Sequence, residues 1–161
     1  MTADVLQTVD LKILEQIQQD ASLSTGELAD RVGLSQSPCW RRLQKLKDDG
    51  YIRKQVCLLD RSKFGFGFVI FAHLKMAKLT DEMRESFLRK VMQTPEILEC
   101  HTVFGEIDVI LKVLAPTLPW YQNFIFNVIL KFPGVQDIQS TVTLSEVKYE
   151  TAIPVRGSRA L

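Results

Sequence analysis

One stretch of the chain, LADRVGLSQSPCWRRL over residues 28–43, constrains the fold more than any other. Apolar residues at helical spacing stop at Gly33, and a second helix is predicted to begin after Ser35. A glycine can adopt the left-handed conformation that ends a helix. Pro38 is tolerated because an N–H in the first turn would have no helical partner. Two helices joined by so tight a turn are typical of a helix-turn-helix, whose second helix can enter the major groove of DNA.

The flanking sequence predicts the rest of this module. Asp10 is expected to cap a first helix, and Ser24 with Glu27 has the form of a capping box that begins the second. Gly50 should end the third helix. Residues 51–59 are predicted to form a short strand pair, the wing of a winged helix-turn-helix.

The charge distribution supports this interpretation, although the chain carries a net charge of only +1. Between Arg31 and Lys63 there are nine Lys and Arg residues against three Asp, an excess of six positive charges. From Phe64 onward the charges balance, with ten of each sign. A local basic excess beside a neutral remainder predicts a module that faces DNA, joined to a second domain.

The third helix should present one face to the core and the other to DNA. Arginine can pair with guanine, glutamine with adenine, and serine with a base or a phosphate; Arg42 could take a phosphate instead of a base. A solvated helix face is the alternative to DNA contact. Trp40 is interpreted as a packing residue, with a base contact as the alternative. The candidate DNA-binding residues are Ser35, Gln36, Ser37, Arg41, Arg42, Gln44 and Lys45, with Arg53 and Lys54 on the predicted wing as phosphate contacts.

The second half of the sequence alternates strand and helix patterns. Strands are predicted at 68–76, 97–104, 109–114 and 135–143, and helices at 80–92 and 120–132. The order β-α-β-β-α-β indicates a ferredoxin-like α+β domain, an antiparallel sheet with both helices on one face. The bare face should find a partner, so we expect a dimer. The predicted domains are 1–60 for the winged helix-turn-helix, 61–67 for a hinge and 68–161 for the second domain.

Several protein classes are not expected from this sequence. Cys39, Cys57 and Cys100 offer no zinc-binding spacing, and reduced thiols fit a cytoplasmic protein. No apolar run reaches the roughly 20 residues needed to cross a bilayer, and the first residues lack the apolar core of a signal peptide. Neither a metal nor another cofactor is predicted.

Taken together, these motifs resemble the Lrp/AsnC family of regulators over nearly the whole chain. The resemblance is carried by DLKIL at 10–14, LS at 34–35 with PCWRRL at 38–43, DGYI at 49–52 and GEID at 105–108. It implies a transcription regulator that binds double-stranded DNA and senses an amino acid, with homodimers assembling into tetramers or octamers. Trp40 departs from many members, which have a smaller aliphatic residue there, and is similar to a subgroup linked to sulfur amino acid catabolism.

The GEID segment is the candidate effector site. Alone, its glycine and aspartate would equally suit a plain hairpin turn. The resemblance implies that backbone N–H groups near Gly105 hold an α-carboxylate, that Asp108 accepts from an α-ammonium, and that the pocket lies between dimers. The candidate effector-binding residues are His101, Thr102, Gly105, Glu106, Asp108, Ser140 and Thr141.

Two other functions compete with an amino-acid-gated regulator. Sirohaem decarboxylase subunits resemble the same two-domain architecture, but would need basic and histidine residues facing the haem in the second domain. Here the basic residues cluster on the third helix and the predicted wing, which disfavours an enzyme. An interaction module with a vestigial helix-turn-helix is disfavoured by Arg41, Arg42 and Lys45.

Overall fold

The structure, a computed structural model, describes residues 6–155, which fall into two compact units. The first unit ends at Leu58 and also includes the segment that begins at Lys148. The second unit spans Leu59–Val147. In the described part of the chain, no helix is both long enough and apolar enough to cross a membrane.

Three helices build the first unit: α1 (Thr8–Gln19), α2 (Thr25–Val32) and α3 (Gln36–Asp48). The Ser24 hydroxyl accepts the Glu27 N–H and the Glu27 carboxylate accepts the Ser24 N–H, so the predicted capping box begins α2. Gly33 ends α2 with φ +72°, the left-handed conformation that its position requires. The buried core side chains are contributed by all three helices: Ile13, Leu28, Ala29, Val32, Cys39 and Leu46.

Two local predictions for this unit are wrong. The residue that precedes α1 is Gln7, and Asp10 lies in the first turn, where its carboxylate accepts the Gln7 N–H at 3.1 Å. The predicted wing strands do not form either: residues 51–59 are described, and they contain neither helix nor strand. A strand needs a neighbour for its backbone hydrogen bonds, and this exposed segment has none within the described chain.

The segment after the second unit is assigned differently by the structure and by the sequence. The sequence analysis placed all residues from 68 to 161 in one domain. The described residues 148–155 group instead with the helices of the first unit. The Gln18 amide on α1 explains the attachment. It donates to the Ile153 carbonyl at 2.8 Å and accepts the Ile153 N–H at 3.1 Å, so one side chain satisfies both backbone groups.

The second unit has the predicted β-α-β-β-α-β order. Its elements are β1 (Phe68–Met76), α4 (Asp81–Gln93), β2 (Ile97–Thr102), β3 (Val109–Ala115), α5 (Leu118–Asn127) and β4 (Val135–Val142). The strands form one antiparallel sheet in the order β2-β3-β1-β4, which confirms the ferredoxin-like fold. The helix predicted to end at Phe132 ends at Asn127, and a 3-10 helix (Ile129–Lys131) follows.

The predicted hinge, 61–67, is a hydrogen-bonded turn. A 3-10 helix (Arg61–Phe64) begins at Asp60, whose carboxylate accepts the Ser62 N–H at 3.0 Å. The Arg61 guanidinium then donates to the Phe66 carbonyl at 2.9 Å. These contacts lie inside the second unit, because the two units divide just after Leu58.

Alternation along the strands gives the sheet two different faces. Buried residues such as Ile70, Leu111 and Val113 form the core with α4 and α5. Phe71 and Ile110 lie on the opposite face, where they are only half-buried. Neither residue belongs to the core that packs with α4 and α5, so this face is the uncovered one that the sequence predicts.

Candidate nucleic-acid interface and ligand site

The outward face of α3 carries a row of polar and basic side chains. Residues three or four apart share one face of a helix, and this places Ser37, Arg41 and Gln44 in line with Lys45 beside them. All are exposed except Gln44, which is half-buried. Cys39 and Leu46 point the other way and are buried. Core packing thus fixes which side of α3 faces outward.

The two neighbouring arginines of α3 have different surroundings. Arg42 donates from Nη1 to the Asp10 Oδ1 at 3.0 Å, with 35% of its side chain exposed and 13% of that of Asp10. That ion pair joins α3 to the first turn of α1. Arg41 is exposed and bonds no described residue. Its five N–H donors are therefore available to a ligand.

Ser35 immediately precedes α3, yet its hydroxyl makes no capping hydrogen bond. Gln36 follows it, also exposed at the start of the helix. Arg53 and Lys54 lie in the extended segment after α3, exposed and without a hydrogen bond or ion pair to any described residue. The helix start and this segment thus carry further polar groups that the folded chain does not use.

Trp40 is not the packing residue that the sequence interpretation expects. Its side chain is 53% exposed and it is not among the apolar residues packed against the helical core. It lies on the outward face between Ser37 and Gln44 instead. The sequence interpretation failed because it weighed residue type above helical position: position 40 follows buried Cys39 by a step of 100° around the helix.

The predicted effector segment forms the hairpin between β2 and β3. The Val103 N–H donates to the Asp108 carbonyl at 3.0 Å and closes a turn with Gly105 at φ +140°. Within the described residues, the backbone N–H groups of 104–107 donate no hydrogen bond. Unpaired N–H groups clustered in a turn can hold an anion.

Asp108 lies at the base of this hairpin, and part of its carboxylate is already engaged. Its Oδ2 accepts the Met76 N–H at 2.8 Å and lies 3.3 Å from the Lys75 ammonium. The Met76 N–H, and after it Lys75, hold the pKa of the Asp108 carboxyl below its ordinary value. Its Oδ1 has no partner among the described residues, and 39% of the side chain is exposed.

The other predicted effector residues are dispersed over the sheet. Ser140 lies on the helix side, where its hydroxyl pairs with the buried Tyr121 hydroxyl at 2.9 Å. Thr141 lies on the uncovered face and contacts His73 Nε2 at 3.3 Å. His101 shares that face but belongs to β2, whereas Thr141 belongs to β4 at the opposite edge. Three strand spacings separate these edges, roughly 14 Å.

One protomer therefore brings together only the hairpin residues: Gly105, Glu106 and Asp108, with Thr102 just before them. His101 is held beside Glu99 at 3.2 Å, and Glu99 also accepts from Lys112 at 2.8 Å. Lys112, and after it His101, lower the pKa of the Glu99 carboxyl. His101 thus lies at the end of a short chain of polar contacts that runs through Glu99 to Lys112 on the uncovered face.

Sequence reasoning missed Lys75 and Tyr121, which contact Asp108 and Ser140. Lys75 is 33 positions from Asp108 along the chain, so no local pattern shows the pair. Burial raises the pKa of the Tyr121 phenol, which keeps its hydroxyl protonated beside Ser140. The only available signal was the ferredoxin-like strand order, which places β1 between β3 and β4.

Comparison with known families agrees with the two units. Residues 6–53 match a winged helix-turn-helix DNA-binding family, and residues 69–153 match the Lrp/AsnC ligand binding domain. The chain is 34% identical to the DNA-binding transcriptional activator DecR of Escherichia coli, over 94% of this chain and 99% of that protein. It is 31% identical to the E. coli leucine-responsive regulatory protein, over 94% and 92% of the two chains.

Solved structures of transcriptional regulators also superpose on this chain. A transcriptional regulator of Neisseria meningitidis in complex with L-methionine superposes with a TM-score of 0.89 at 36% identity, covering 92% of this chain and 96% of that one. An AsnC family transcriptional regulator from Agrobacterium tumefaciens superposes with a TM-score of 0.88 at 35% identity, over 92% and 97% of the chains.

Proposed function

The chain belongs to the Lrp/AsnC family of transcriptional regulators, and from this premise we propose that α3 reads the DNA while the β2–β3 hairpin binds the amino acid that controls it. The protein is a DNA-binding regulator with an amino-acid ligand-binding domain, not an enzyme. The sirohaem decarboxylase alternative has no relative to support it among the regulators that match. We place its action in the cytoplasm, with the DNA.

The observation that carries the DNA assignment is the pair of arginines on α3. Arg42 is held by Asp10, whereas Arg41 is exposed and bonds no described residue. In our proposal Arg42 positions α3 against α1, and Arg41 contacts a base edge. The groups at Ser35, Gln36, Arg53 and Lys54 contact phosphates or bases nearby.

Fluorescence anisotropy with a duplex from upstream of the protein's own gene tests this assignment. Each phosphate contact releases counterions, so log Kd depends linearly on log salt concentration. We expect Lys54→Ala to weaken specific and non-specific binding alike and to reduce the salt slope by about one. Glu82→Ala, an exposed change on α4, should leave the slope unaltered. Equal slopes for the Lys54 variant and the native protein would contradict the phosphate assignment.

The proposed effector contact uses both halves of the hairpin. The unpaired N–H groups of 104–107 would receive the α-carboxylate, and Asp108 Oδ1 would receive the α-ammonium while Oδ2 keeps its bond to Met76. The α-carboxylate and α-ammonium are common to all amino acids, so selectivity among amino acids depends on side chains next to the site. Ser140 and Thr141 lie on opposite faces of β4, so one ligand contacts at most one of them in a protomer, and we propose that a second copy of the chain supplies further contacts.

L-Methionine is the first effector to test, because the Neisseria regulator, which is 36% identical to this chain, was solved in complex with that amino acid. Thermal unfolding of the full chain with each of the twenty amino acids would identify the ligand. A compound that binds only the folded state stabilises it by about 2.7 kcal/mol at 100-fold excess over Kd. We expect L-methionine to raise the unfolding temperature more than L-norvaline or D-methionine. A screen in which no amino acid stabilises the protein would contradict the proposed site.

We further propose that the uncovered sheet face joins two copies into a dimer, and that dimers assemble into a tetramer or octamer. Phe71 and Ile110 are the apolar side chains at its centre. Ile110→Asp should give monomers in light scattering, because it buries a charge in the interface. Met92→Asp is a matched control, since Met92 is exposed on α4. An unchanged mass for the Ile110 variant would contradict this interface.

A further inference from the structure

Trp40 is a large apolar side chain whose exposure the folded chain does not explain. Tryptophan is usually highly buried in proteins, yet Trp40 is 53% exposed and is not among the buried or half-buried residues of the helical core. Cys39, its neighbour, fills the core side of the same turn. The exposed surface of the indole is therefore available to contact another molecule.

The surroundings of Trp40 indicate what that contact is. Ser37 lies one turn before it, Arg41 follows it, and Gln44 lies one turn after it on the same face of α3. Each of these neighbours has a side chain that can bond a base edge or a phosphate. Trp40 also lies in the second turn after Ser35, and the early turns of a recognition helix approach the bases most closely.

The chemistry of the indole ring limits which DNA base Trp40 can recognise. Its ring is apolar, and it has one N–H donor and no acceptor. Among the base edges in the major groove, thymine alone presents a methyl group, and its O4 acceptor lies beside that methyl. We infer that Trp40 reads a thymine, with its ring against the C5 methyl and its Nε1–H directed to O4. This inference rests on the proposed function, in which α3 enters the major groove.

Selection from a randomised duplex library identifies the base. The native protein, Trp40→Ala and Arg41→Ala are each used to enrich preferred sequences. We expect Trp40→Ala to lose a preference for dT at one position and to keep the other preferences. Arg41→Ala should keep that dT and lose a different base. If Trp40→Ala and the native protein enrich the same sequence, the inference is overturned.

Removal of one methyl group from the DNA then tests the contact directly. Replacing that dT by dU removes only the C5 methyl and leaves O4 in place. The native protein should bind the dU duplex about fourfold more weakly, which is the effect of one buried methyl-sized group. Trp40→Ala should bind the dT and dU duplexes equally, and Arg41→Ala should retain the fourfold difference. Equal dU effects on the native protein and Trp40→Ala would refute the methyl contact.

Failure of the underlying proposal would give a different pattern. If α3 does not enter the groove, Arg41→Ala and Trp40→Ala would both bind and select DNA as the native protein does. If only the Trp40 inference fails, Arg41→Ala still changes the selected sequence. Unfolding temperature should be unchanged in Trp40→Ala, because the side chain lies outside the core; a large fall would assign Trp40 to packing and overturn the inference.

Discussion

The two candidate sites are built in opposite ways. The outward face of α3 is a continuous row of side chains on one helix, and Arg41 within it bonds no described residue. The candidate effector residues come from β2, β4 and the hairpin between β2 and β3. Four of them already have partners within the described chain: Asp108 contacts Met76, Ser140 contacts Tyr121, Thr141 contacts His73 and His101 contacts Glu99.

This difference shows how much each site depends on other molecules. The proposed DNA-contacting residues of α3 all come from one chain, because helix periodicity alone aligns them. The effector residues lie on both faces and both edges of a sheet, so a single protomer offers only the hairpin. Ligand binding should therefore depend on assembly, whereas the geometry of base reading should not.

The largest expected effect is on DNA binding. Arg41→Ala should lower affinity for the preferred duplex by about 1–3 kcal/mol if the guanidinium pairs with a guanine. Fluorescence anisotropy at fixed salt measures the loss, and the unfolding free energy should stay within about 0.5 kcal/mol of that of the native protein.

Arg89→Ala is the matched control, because Arg89 is an exposed arginine on α4 of the other unit. It should bind DNA as the native protein does. If both arginine variants lose affinity equally, the effect is one of overall charge, and the proposed distinction between the two regions fails.

The second prediction concerns Asp108 and separates its two roles. Asp108→Asn keeps an oxygen that can accept the Met76 N–H, but it removes the charge that would pair with an effector ammonium. We expect calorimetry to show at least a tenfold loss of affinity for the identified amino acid, because the substitution leaves the ammonium of the bound amino acid without a charged partner. DNA binding without ligand should be unchanged.

Asp137→Asn supplies the comparison, because Asp137 is an exposed aspartate on β4 of the same sheet. Its affinity for the amino acid should match that of the native protein. Unaltered affinity in the Asp108 variant would mean that this carboxylate only ties the hairpin to β1, and that the effector binds elsewhere.

The sequence predicted those features that depend on near neighbours in the chain. Both ends of β1 were predicted correctly, because an apolar run of strand length follows a glycine pair. Gly33 and the Ser24 capping box likewise depend on residues within a few positions. The wing strands failed because pairing needs a partner strand, which a propensity pattern does not supply.

The site followed the same rule. The outward face of α3 could be predicted from periodicity, but the commitment of Arg42 to Asp10 spans 32 positions and could not. The bond between Asp108 and Met76 also spans 32 positions. Trp40 shows a different failure: its residue type predicted burial, whereas its position one helical step from the buried Cys39 places it on the outward side.

The smallest expected effect distinguishes two serines that begin helices. The Ser24 hydroxyl accepts the Glu27 N–H, whereas the Ser35 hydroxyl makes no capping bond. Ser24→Ala should therefore lower the unfolding free energy by about 1 kcal/mol, with no effect on DNA affinity. Ser35→Ala should leave stability nearly unchanged and weaken DNA binding by a few fold, about 0.5–1.5 kcal/mol for one lost hydrogen bond. Urea unfolding and anisotropy on both variants test this crossed pattern. If Ser35→Ala destabilises the protein as much as Ser24→Ala does, its hydroxyl serves the fold, and the start of α3 is not reserved for DNA.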